Sequence, residues 1–317
     1  MTGQARSKPV RGETGTAVGV RLERYREIVP DWEAFLAACS RPLPTTIRAQ
    51  TTRIRPEALA ARLADRGLPS RAIAWAPGFL DVSGSGVGKT IEHWMGFFYV
   101  QEIVQALPVL ALDPQPGEAV LDLCAAPGGK ATHAADRMSH RGLLVANEPN
   151  GRRAQALLAN LNRMGTTNVA VTEYAGESFP LGQSFDRVLV DAPCSAEGTL
   201  RREGTLRQGA YPTVTRRMGA LQRRLILRAY ELVRPGGVLV YSTCTFAPEE
   251  NEAVVSFLLG ERDASPEPIG LPIAASPGLR EWGESRFSEG VEQGVRVYPH
   301  QLDSGGGFLA RFRKPSR

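Results

Sequence analysis

The stretch Val120-Leu-Asp-Leu-Cys-Ala-Ala-Pro-Gly-Gly-Lys130 decides the fold of this 317-residue chain. An apolar run typical of a buried strand leads into a loop of small residues, and a helical pattern follows. Glycines in such a loop let backbone amides approach a ligand at a helix N-terminus. The spacing is not G-x-G-x-x-G, and close packing alone would also favour Gly128 and Gly129. Glu148 follows the next apolar run. A carboxylate at this position would bind ribose hydroxyls, and the alternative is that Glu148 is a solvated turn residue.

Beyond this stretch, strand and helix signals alternate. The expected strands are Ala119–Leu123, Leu143–Asn147, Val169–Thr172, Arg187–Asp191 and Val238–Ser242. The clearest helix runs from Asn150 to Met164, with Gly165 just past its end. Near the C-terminus, Val295–Tyr298 and Phe308–Phe312 suggest an antiparallel pair at a sheet edge. The alternation predicts an α/β fold with a mostly parallel, doubly wound sheet.

The pattern changes character near residue 115, which predicts two parts and a tail. We expect a flexible N-terminal tail over 1–30, a small α+β module over 31–112, and the main domain over 113–317. A turn-rich hinge, Asp113–Gly117, opens the main domain. Within the module, one helix from Asp31 to Cys39 has Asp31 as its N-cap, and a second begins at Pro56 and ends by Gly67.

Two of the four cysteines follow apolar, strand-like runs. These are Cys194 in Asp191-Ala-Pro-Cys-Ser195 and Cys244 in Ser242-Thr-Cys-Thr245. In a doubly wound sheet the two strands would be neighbours, about 4.8 Å apart, so both cysteines would face one crevice. Free cysteines more often serve as small buried apolar residues, but the proline and hydroxyl neighbours here favour exposed loops.

Paired thiols at a ligand crevice suit methylation of a pyrimidine ring. Cytosine C5 is too weak a nucleophile to accept a methyl group directly, but thiolate addition at C6 turns C5 into an enamine carbon. A sulfonium donor can then transfer its methyl group, and loss of the C5 proton expels the thiolate. A free thiol is only partly ionised at pH 7, so the pocket must favour its ionisation. An acid held protonated near N3 would promote the addition, and Asp191 is placed for that role.

Three motifs resemble the RNA 5-methylcytosine methyltransferases of the RsmB/RsmF/NSUN type. They are CAAPGGK at 124–130, DAPCSAEGTLRR at 191–202 and YSTCTFAPEENE at 241–252. The similarity extends from Leu43 to Lys314 and leaves the N-terminal tail outside. The phrase FFYVQEIVQALPVLALDPQPGE at 97–118 favours the RsmF-like rRNA branch.

This resemblance implies a Rossmann-like class I methyltransferase that uses S-adenosyl-L-methionine on RNA, on rRNA or, as the next possibility, on tRNA. It implies that Cys244 is the nucleophile, that Cys194 assists product release, and that Asp191 touches the cofactor or the target base. The residues implied to bind the cofactor are Cys124, Ala125, Ala126, Pro127, Gly128, Gly129, Lys130, Glu148 and Asp191. We expect a cytoplasmic monomer with no bound metal and no membrane segment.

One departure from the family pattern concerns the adenine of the cofactor. The family usually has an aspartate after the third strand, whereas Ala175 stands near that position here. Glu173, Glu177 or a backbone group would have to replace it. The departure favours an alternative function, that of a catalytically silent RNA-binding or ribosome-assembly factor.

The formal net charge of +5 and a cluster of arginines fit an RNA surface. The cluster begins beside Cys194 and comprises Arg201, Arg202, Arg207, Arg216, Arg217, Arg223, Arg224 and Arg228. An ordinary solvated helix face is the alternative. We expect RNA contacts from Arg201, Arg202 and Arg207, and from Arg48 in the N-terminal module.

Other functions are disfavoured. Ser83–Thr90 resembles a nucleotide-triphosphate loop but has serine in place of the first glycine, so we reject ATP binding. The aromatic residues from Trp94 to Tyr99 are most simply packing residues of a buried helix. A DNA cytosine methyltransferase would use the Pro-Cys cysteine, Cys194, as nucleophile, and the second cysteine at 244 disfavours that alternative.

Overall fold

The computed structural model describes residues 22–202 and 212–316. The helices are α1 (Trp32–Cys39), α2 (Pro56–Ala64), α3 (Ile91–Trp94), α4 (Leu107–Leu112), α5 (Gly129–Arg137), α6 (Gly151–Met164), α7 (Pro212–Leu232), α8 (Glu252–Glu261) and α9 (Pro299–Leu302). The strands are β1 (Thr45–Ala49), β2 (Ser70–Ala72), β3 (Phe79–Val82), β4 (Phe98–Val100), β5 (Ala119–Asp122), β6 (Leu143–Asn147), β7 (Val169–Thr172), β8 (Phe185–Asp191), β9 (Val233–Thr243), β10 (Ser265–Glu267), β11 (Ser276–Pro277), β12 (Glu281–Trp282), β13 (Ser285–Arg286), β14 (Val295–Val297) and β15 (Gly307–Arg313).

The main sheet has nine strands in the order β11-β14-β15-β9-β8-β5-β6-β7, with β10 also paired to β15. Strands β5 to β9 are parallel, and β14 and β15 are antiparallel additions. The chain builds one side of β5 with β6 and β7 and then the other side with β8 and β9. This reversal opens a crevice at the carboxyl ends of β5 and β8, where α/β folds bind ligands. The predicted α/β, doubly wound fold is confirmed.

The apolar runs of the sequence are buried on both faces of the sheet. On β5, Val120 packs into a core shared with Leu144 and Leu157, whereas Leu121 packs into a second core with Val188 and Ile226. Each fully buried aliphatic side chain contributes about 1.5–3 kcal/mol of transfer free energy. Burial on both faces explains why these strands read as continuous apolar runs rather than alternating ones.

Helix ends lie where the capping signals predict them. The Asn150 side chain accepts a hydrogen bond from the Arg153 amide at 3.2 Å, and Gly165 ends α6 in the left-handed region at φ +68°. Asp31 likewise caps α1, accepting from the Ala34 amide at 2.9 Å. The two helices predicted from these signals are confirmed, as is the antiparallel edge pair, which forms β14 and β15.

The N-terminal residues form a four-stranded antiparallel sheet in the order β2-β3-β1-β4, covered by α2. It packs on the main domain through a buried polar network. Arg48 on β1 donates to Thr132 on α5 at 2.8 Å, and Asp136 on α5 accepts from the amides and hydroxyls of Thr51 and Thr52. This network fixes β1 and β4 beside the start of α5, so the small sheet forms one wall of the crevice.

The prediction of one buried aromatic helix near residue 95 is wrong. Helix α3 ends at Trp94, which is 73% exposed, and the chain continues as β4, in which Phe98 is fully buried. Gly96 between them has φ +68°, and a Cβ there would lie 1.8 Å from the Arg163 carbonyl oxygen. A helix cannot continue through this left-handed residue, which lets the chain turn close to α6.

Among the described residues, no helix is long and apolar enough to cross a membrane.

Candidate active site

The loop between β5 and α5 brings backbone and small side chains to the crevice. Gly128 adopts φ +107°, a conformation that favours glycine, and it turns the chain into α5. The other six loop residues predicted to bind the cofactor line a cavity: Cys124, Ala125, Ala126, Pro127, Gly129 and Lys130. Gly128 instead packs closely against α6. A Cβ at this position would lie only 3.1 Å from Leu157 Cδ1, which leaves little room for a side chain.

Two adjoining cavities occupy the crevice. The first, of about 290 Å³, lies between the loop and the N-terminal sheet, and Tyr99, Gln105 and Arg202 contribute to its wall. The second, of about 260 Å³, extends toward Glu148 and Glu177. The residues common to both walls are Cys124, Ala126, Asp191 and Cys244. A molecule in one cavity would therefore meet a molecule in the other at Asp191 and Cys244.

The structure brings Cys194 and Cys244 together at this junction. Their Sγ atoms lie 3.3 Å apart, and both side chains are partly exposed. The parallel pairing of Asp191 with Ser242 puts the two loops side by side, as the sequence predicts. The Gly198 amide also donates to the Cys244 carbonyl at 2.8 Å, and the Ser195 and Thr245 hydroxyls lie 2.7 Å apart. These bonds hold the two loops at a fixed separation.

The charges around the two thiols differ. A hydrogen bond from the Cys194 thiol lowers the pKa of Cys244, and Lys130 and Arg202 lower it further, against burial and the nearby Asp191. The same hydrogen bond, together with burial, raises the pKa of Cys194 well above its ordinary value. Cys244 is therefore the thiol that this environment favours as the anion.

Asp191 and Lys130 form an ion pair at the junction. Lys130 Nζ lies 2.7 Å from Asp191 Oδ2 and also donates to Gln105 Oε1. The Ser242 hydroxyl donates to Asp191 Oδ1 at 2.9 Å. The pair offers one cationic donor and one anionic acceptor to a planar polar molecule in the first cavity.

Asp122 is a site residue that the sequence reasoning missed. It ends β5 and lines the first cavity, and neither carboxylate oxygen makes a hydrogen bond with the described residues. Burial and the neighbouring Asp191 raise the pKa of Asp122 to about 7, against the opposing effect of Lys130. An acid at the last position of an otherwise apolar strand was the available signal.

Glu148 lies beside the second cavity, as expected from its position after β6. Its carboxylate is 1% exposed, accepts from the Asn150 amide at 3.0 Å and pairs with Arg153 at 3.0 Å. Of the residues considered as substitutes for the missing aspartate, Glu177 lines the cavity together with Gly176. Ala175 and Glu173 are not part of that wall.

Two of the four arginines expected to contact RNA are buried. Arg48 is 1% exposed and its guanidinium is committed to Gln101 and Thr132, so its interpretation as an RNA contact is wrong. The Arg201 side chain is also 1% exposed and donates to the backbone carbonyls of Arg41, Pro42 and Ser304, so the same correction applies. Both serve to join segments of the fold.

Arg202 lines the first cavity with its side chain 49% exposed, and it pairs with Glu102. It therefore faces the same space as Cys244. Arg207 lies outside the described residues.

Comparison with known proteins identifies the family. The family model described as the 16S rRNA methyltransferase RsmB/F matches residues 109–313, and the N-terminal domain of the 16S rRNA methyltransferase RsmF matches residues 22–103. The chain belongs to the RsmB/F methyltransferase family. The expected family and its class of enzyme, a methyltransferase, are confirmed.

Relatives within the RsmB/F family differ in length. The chain is 37% identical to a tRNA (cytosine(49)-C(5))-methyltransferase of Pyrococcus abyssi, over 93% of this chain and 95% of that protein. It is 39% identical to the ribosomal RNA small subunit methyltransferase F of an Enterobacter species, over 92% of this chain. That match spans 62% of the Enterobacter protein. A solved structure, a methyltransferase homolog from Pyrococcus horikoshii, superposes with a TM-score of 0.79 at 30% identity, over 93% of this chain and 99% of that one.

Proposed function

We propose that this RsmB/F family member methylates C5 of cytosine in RNA, with S-adenosyl-L-methionine as methyl donor and Cys244 as covalent catalyst. One observation carries the proposal: Cys244 stands in the wall between two cavities, 3.3 Å from a second thiol and beside the Lys130–Asp191 pair. A transferase needs two ligands to meet, and a thiolate at their boundary can reach the ring of one while the other supplies a methyl group.

The residues of the crevice fit the cofactor. The buried oxygens of Asp122 lack a donor among the described residues, and a cationic amino group such as that of a methionine moiety would satisfy them. Glu148 beside the second cavity offers a carboxylate to ribose hydroxyls, and Glu177 offers an acceptor to an adenine amino group. When bound, S-adenosyl-L-methionine supplies an activated methyl group on its sulfonium.

The chain's own residues would act as follows. The Cys244 thiolate adds to C6 of the cytosine, and Lys130 and Asp191 hold the polar edge of the ring and provide a proton donor there. C5 would then accept the methyl carbon while the bond from that carbon to the donor sulfonium breaks, which leaves a neutral thioether. Solvent accepts the C5 proton, the proton given to the ring returns to the Lys130–Asp191 pair, and cleavage of the Sγ–C6 bond restores the aromatic ring and the thiolate. Cys194 assists this release by donating a hydrogen bond to the departing Cys244 thiolate.

Ribosomal RNA is the proposed substrate, because the N-terminal residues match the corresponding domain of RsmF. Transfer RNA is the second candidate, because the relative from Pyrococcus abyssi, a tRNA methyltransferase, aligns over 95% of its length. Arg202, beside the first cavity, would contact a phosphate of either RNA. We also propose that the protein is a cytoplasmic monomer and that its domain boundaries lie at residues 30 and 112.

The proposal is tested by incubating the purified protein and labelled S-adenosyl-L-methionine with rRNA and with tRNA lacking 5-methylcytosine. Bisulfite sequencing then locates the product. We expect label in one rRNA cytosine, and none with Cys244→Ala. Label confined to tRNA would replace the proposed substrate with the second candidate. Label in neither RNA, with the protein folded and cofactor binding measured by calorimetry, would contradict the proposed activity.

A further inference from the structure

A buried carboxylate stands behind Cys194. Glu250 is 0% exposed, and its Oε2 accepts from the Ser195 amide at 3.0 Å and from Gln222 Nε2 at 2.9 Å. The same Gln222 nitrogen donates to the Pro193 carbonyl at 2.8 Å. Glu250 is thus tied to both residues that flank Cys194. Its other oxygen, Oε1, has no hydrogen-bond partner among the described residues.

The charged groups on the two sides of the thiol pair differ. Besides Ser195 and Gln222, the Cys194 thiol and the carboxylate of Glu197 interact electrostatically with Glu250. The Tyr241 hydroxyl donates to the Glu250 backbone carbonyl at 2.6 Å. Cys244 instead faces Lys130, Arg202 and Asp191. An anion on Cys194 would therefore lie beside carboxylates alone, whereas an anion on Cys244 lies near two cations as well as the Asp191 carboxylate.

The carboxylate is available as an anion in the neutral range. Burial raises the pKa of Glu250 to about 6, while the hydrogen bonds from Ser195 and Gln222 oppose the shift. Above that pH the ionised group is held in a region of low dielectric constant, where its field on a neighbouring thiol is weakly screened.

We propose that Glu250 is a positioning residue that keeps the proton shared by the two thiols on Cys194, and so leaves Cys244 as the nucleophile. The two sulfurs lie 3.3 Å apart, so once the pair has lost one proton they compete for the one that remains, and the macroscopic titration belongs to the pair. The symmetric contact cannot by itself choose between the sulfurs. The choice comes from the carboxylate behind one of them and the cations beside the other. This inference rests on the proposed covalent role of Cys244 and adds the residue that assigns it.

The test measures thiol ionisation without RNA or cofactor, so it does not depend on the activity. Cys194 is titrated in the Cys244→Ala variant by iodoacetamide labelling across pH, with each cysteine followed by peptide mass spectrometry. Adding Glu250→Gln keeps the side-chain size and an acceptor oxygen but removes the charge. We expect the pH midpoint of Cys194 labelling to fall by about one pH unit, which is about tenfold more labelling below the midpoint.

Two comparisons separate this role from a structural one. In the Cys194→Ala variant, Glu250→Gln should move the midpoint of Cys244 much less. Glu249→Gln is the matched control, since Glu249 is the preceding residue and pairs with Arg24 instead, so it should move neither midpoint. Glu250→Asp, which keeps the charge, should restore the Cys194 midpoint toward that of the parent. An unchanged Cys194 midpoint in Glu250→Gln, or equal shifts of both thiols, would overturn the proposal.

If Glu250→Gln fails to fold, Glu250→Leu takes its place, because it also removes the charge and fills a similar buried volume. It should lower the Cys194 midpoint in the same direction, since Cys194 titrates well above the pKa of Glu250 and the parent carboxylate is ionised there. A folded Glu250→Leu protein with the parent midpoint would equally overturn the proposal.

Discussion

The Sγ atoms of Cys194 and Cys244 lie 3.3 Å apart, although fifty positions separate these residues in the chain. The parallel register of β8 and β9 produces this contact, because it places Asp191 opposite Ser242 and both loops at one edge of the sheet. The separation is well beyond a disulfide bond of about 2.05 Å, and both cysteines are free. The fold thus presents two thiols at the boundary of two cavities.

Asp122→Asn should stabilise the protein without cofactor and weaken cofactor binding. The pKa of Asp122 is raised from 3.8 to about 7 in the folded state. The unfolded chain therefore releases this proton at lower pH, and folding stability falls as pH rises from about 4 to about 7. Because an asparagine side chain does not ionise, the variant should not lose this free energy of unfolding, which amounts to up to about 4 kcal/mol in the parent. Urea unfolding at pH 5 and pH 8 measures the first effect and calorimetry the second.

Asp186→Asn is a matched control for that prediction. Its carboxylate accepts from the Ala119 amide and pairs with Arg234, and its pKa is lowered. Stability from this group is present above its ordinary pKa and is lost as pH falls through the lower, folded value. The control should therefore destabilise the protein at pH 8. Identical pH dependence in the parent and in Asp122→Asn would contradict the account of Asp122.

Arg48→Ala should act on stability rather than on RNA affinity. The substitution empties a buried site and leaves the Gln101 and Thr132 oxygens without their donor, at a cost of about 3 kcal/mol. Arg55→Ala, at an exposed arginine of the same module, should change stability by about 0.5 kcal/mol or less. Urea unfolding compares the two. A selective loss of RNA binding in a fully stable Arg48→Ala protein would restore the original RNA-contact interpretation.

Arg202→Ala should weaken RNA binding and lower its dependence on salt. One lost phosphate contact reduces the slope of log K against log salt concentration by about one. Filter binding over a range of salt concentrations measures this slope. Arg201→Ala is the comparison at the neighbouring residue. The buried Arg201 side chain donates to three backbone carbonyls, so its loss should lower the thermal unfolding temperature. An unaltered slope in Arg202→Ala would exclude a phosphate contact.

Sequence patterns predicted the main sheet well. The apolar runs of β5, β6, β8 and β9 are buried on both faces, and the capping residues Asn150 and Gly165 mark the two ends of α6 within the local sequence. The expected meeting of Cys194 and Cys244 followed from topology alone, because parallel strands end at one edge.

The incorrect or absent predictions concern residues whose surroundings come from distant segments of the chain. Arg48 reads as a surface cation, but its partners lie 53 and 84 positions away, so nothing nearby in the sequence reveals its burial. Trp94 reads as part of an apolar helix, but Gly96 turns the chain against α6 and leaves the ring exposed. Asp122 lay within the decisive stretch, yet its unpaired oxygens depend on how the cavity is enclosed.

The most direct test of Cys244 as nucleophile uses RNA that carries 5-fluorocytosine, whose C5 fluorine cannot leave as a proton does. With S-adenosyl-L-methionine present, the covalent adduct should therefore accumulate, and peptide mass spectrometry of the digested complex identifies the linked residue. The account predicts the adduct on Cys244 in the parent and in Cys194→Ala, and no adduct in Cys244→Ala. An adduct on Cys194 in the parent protein would contradict it.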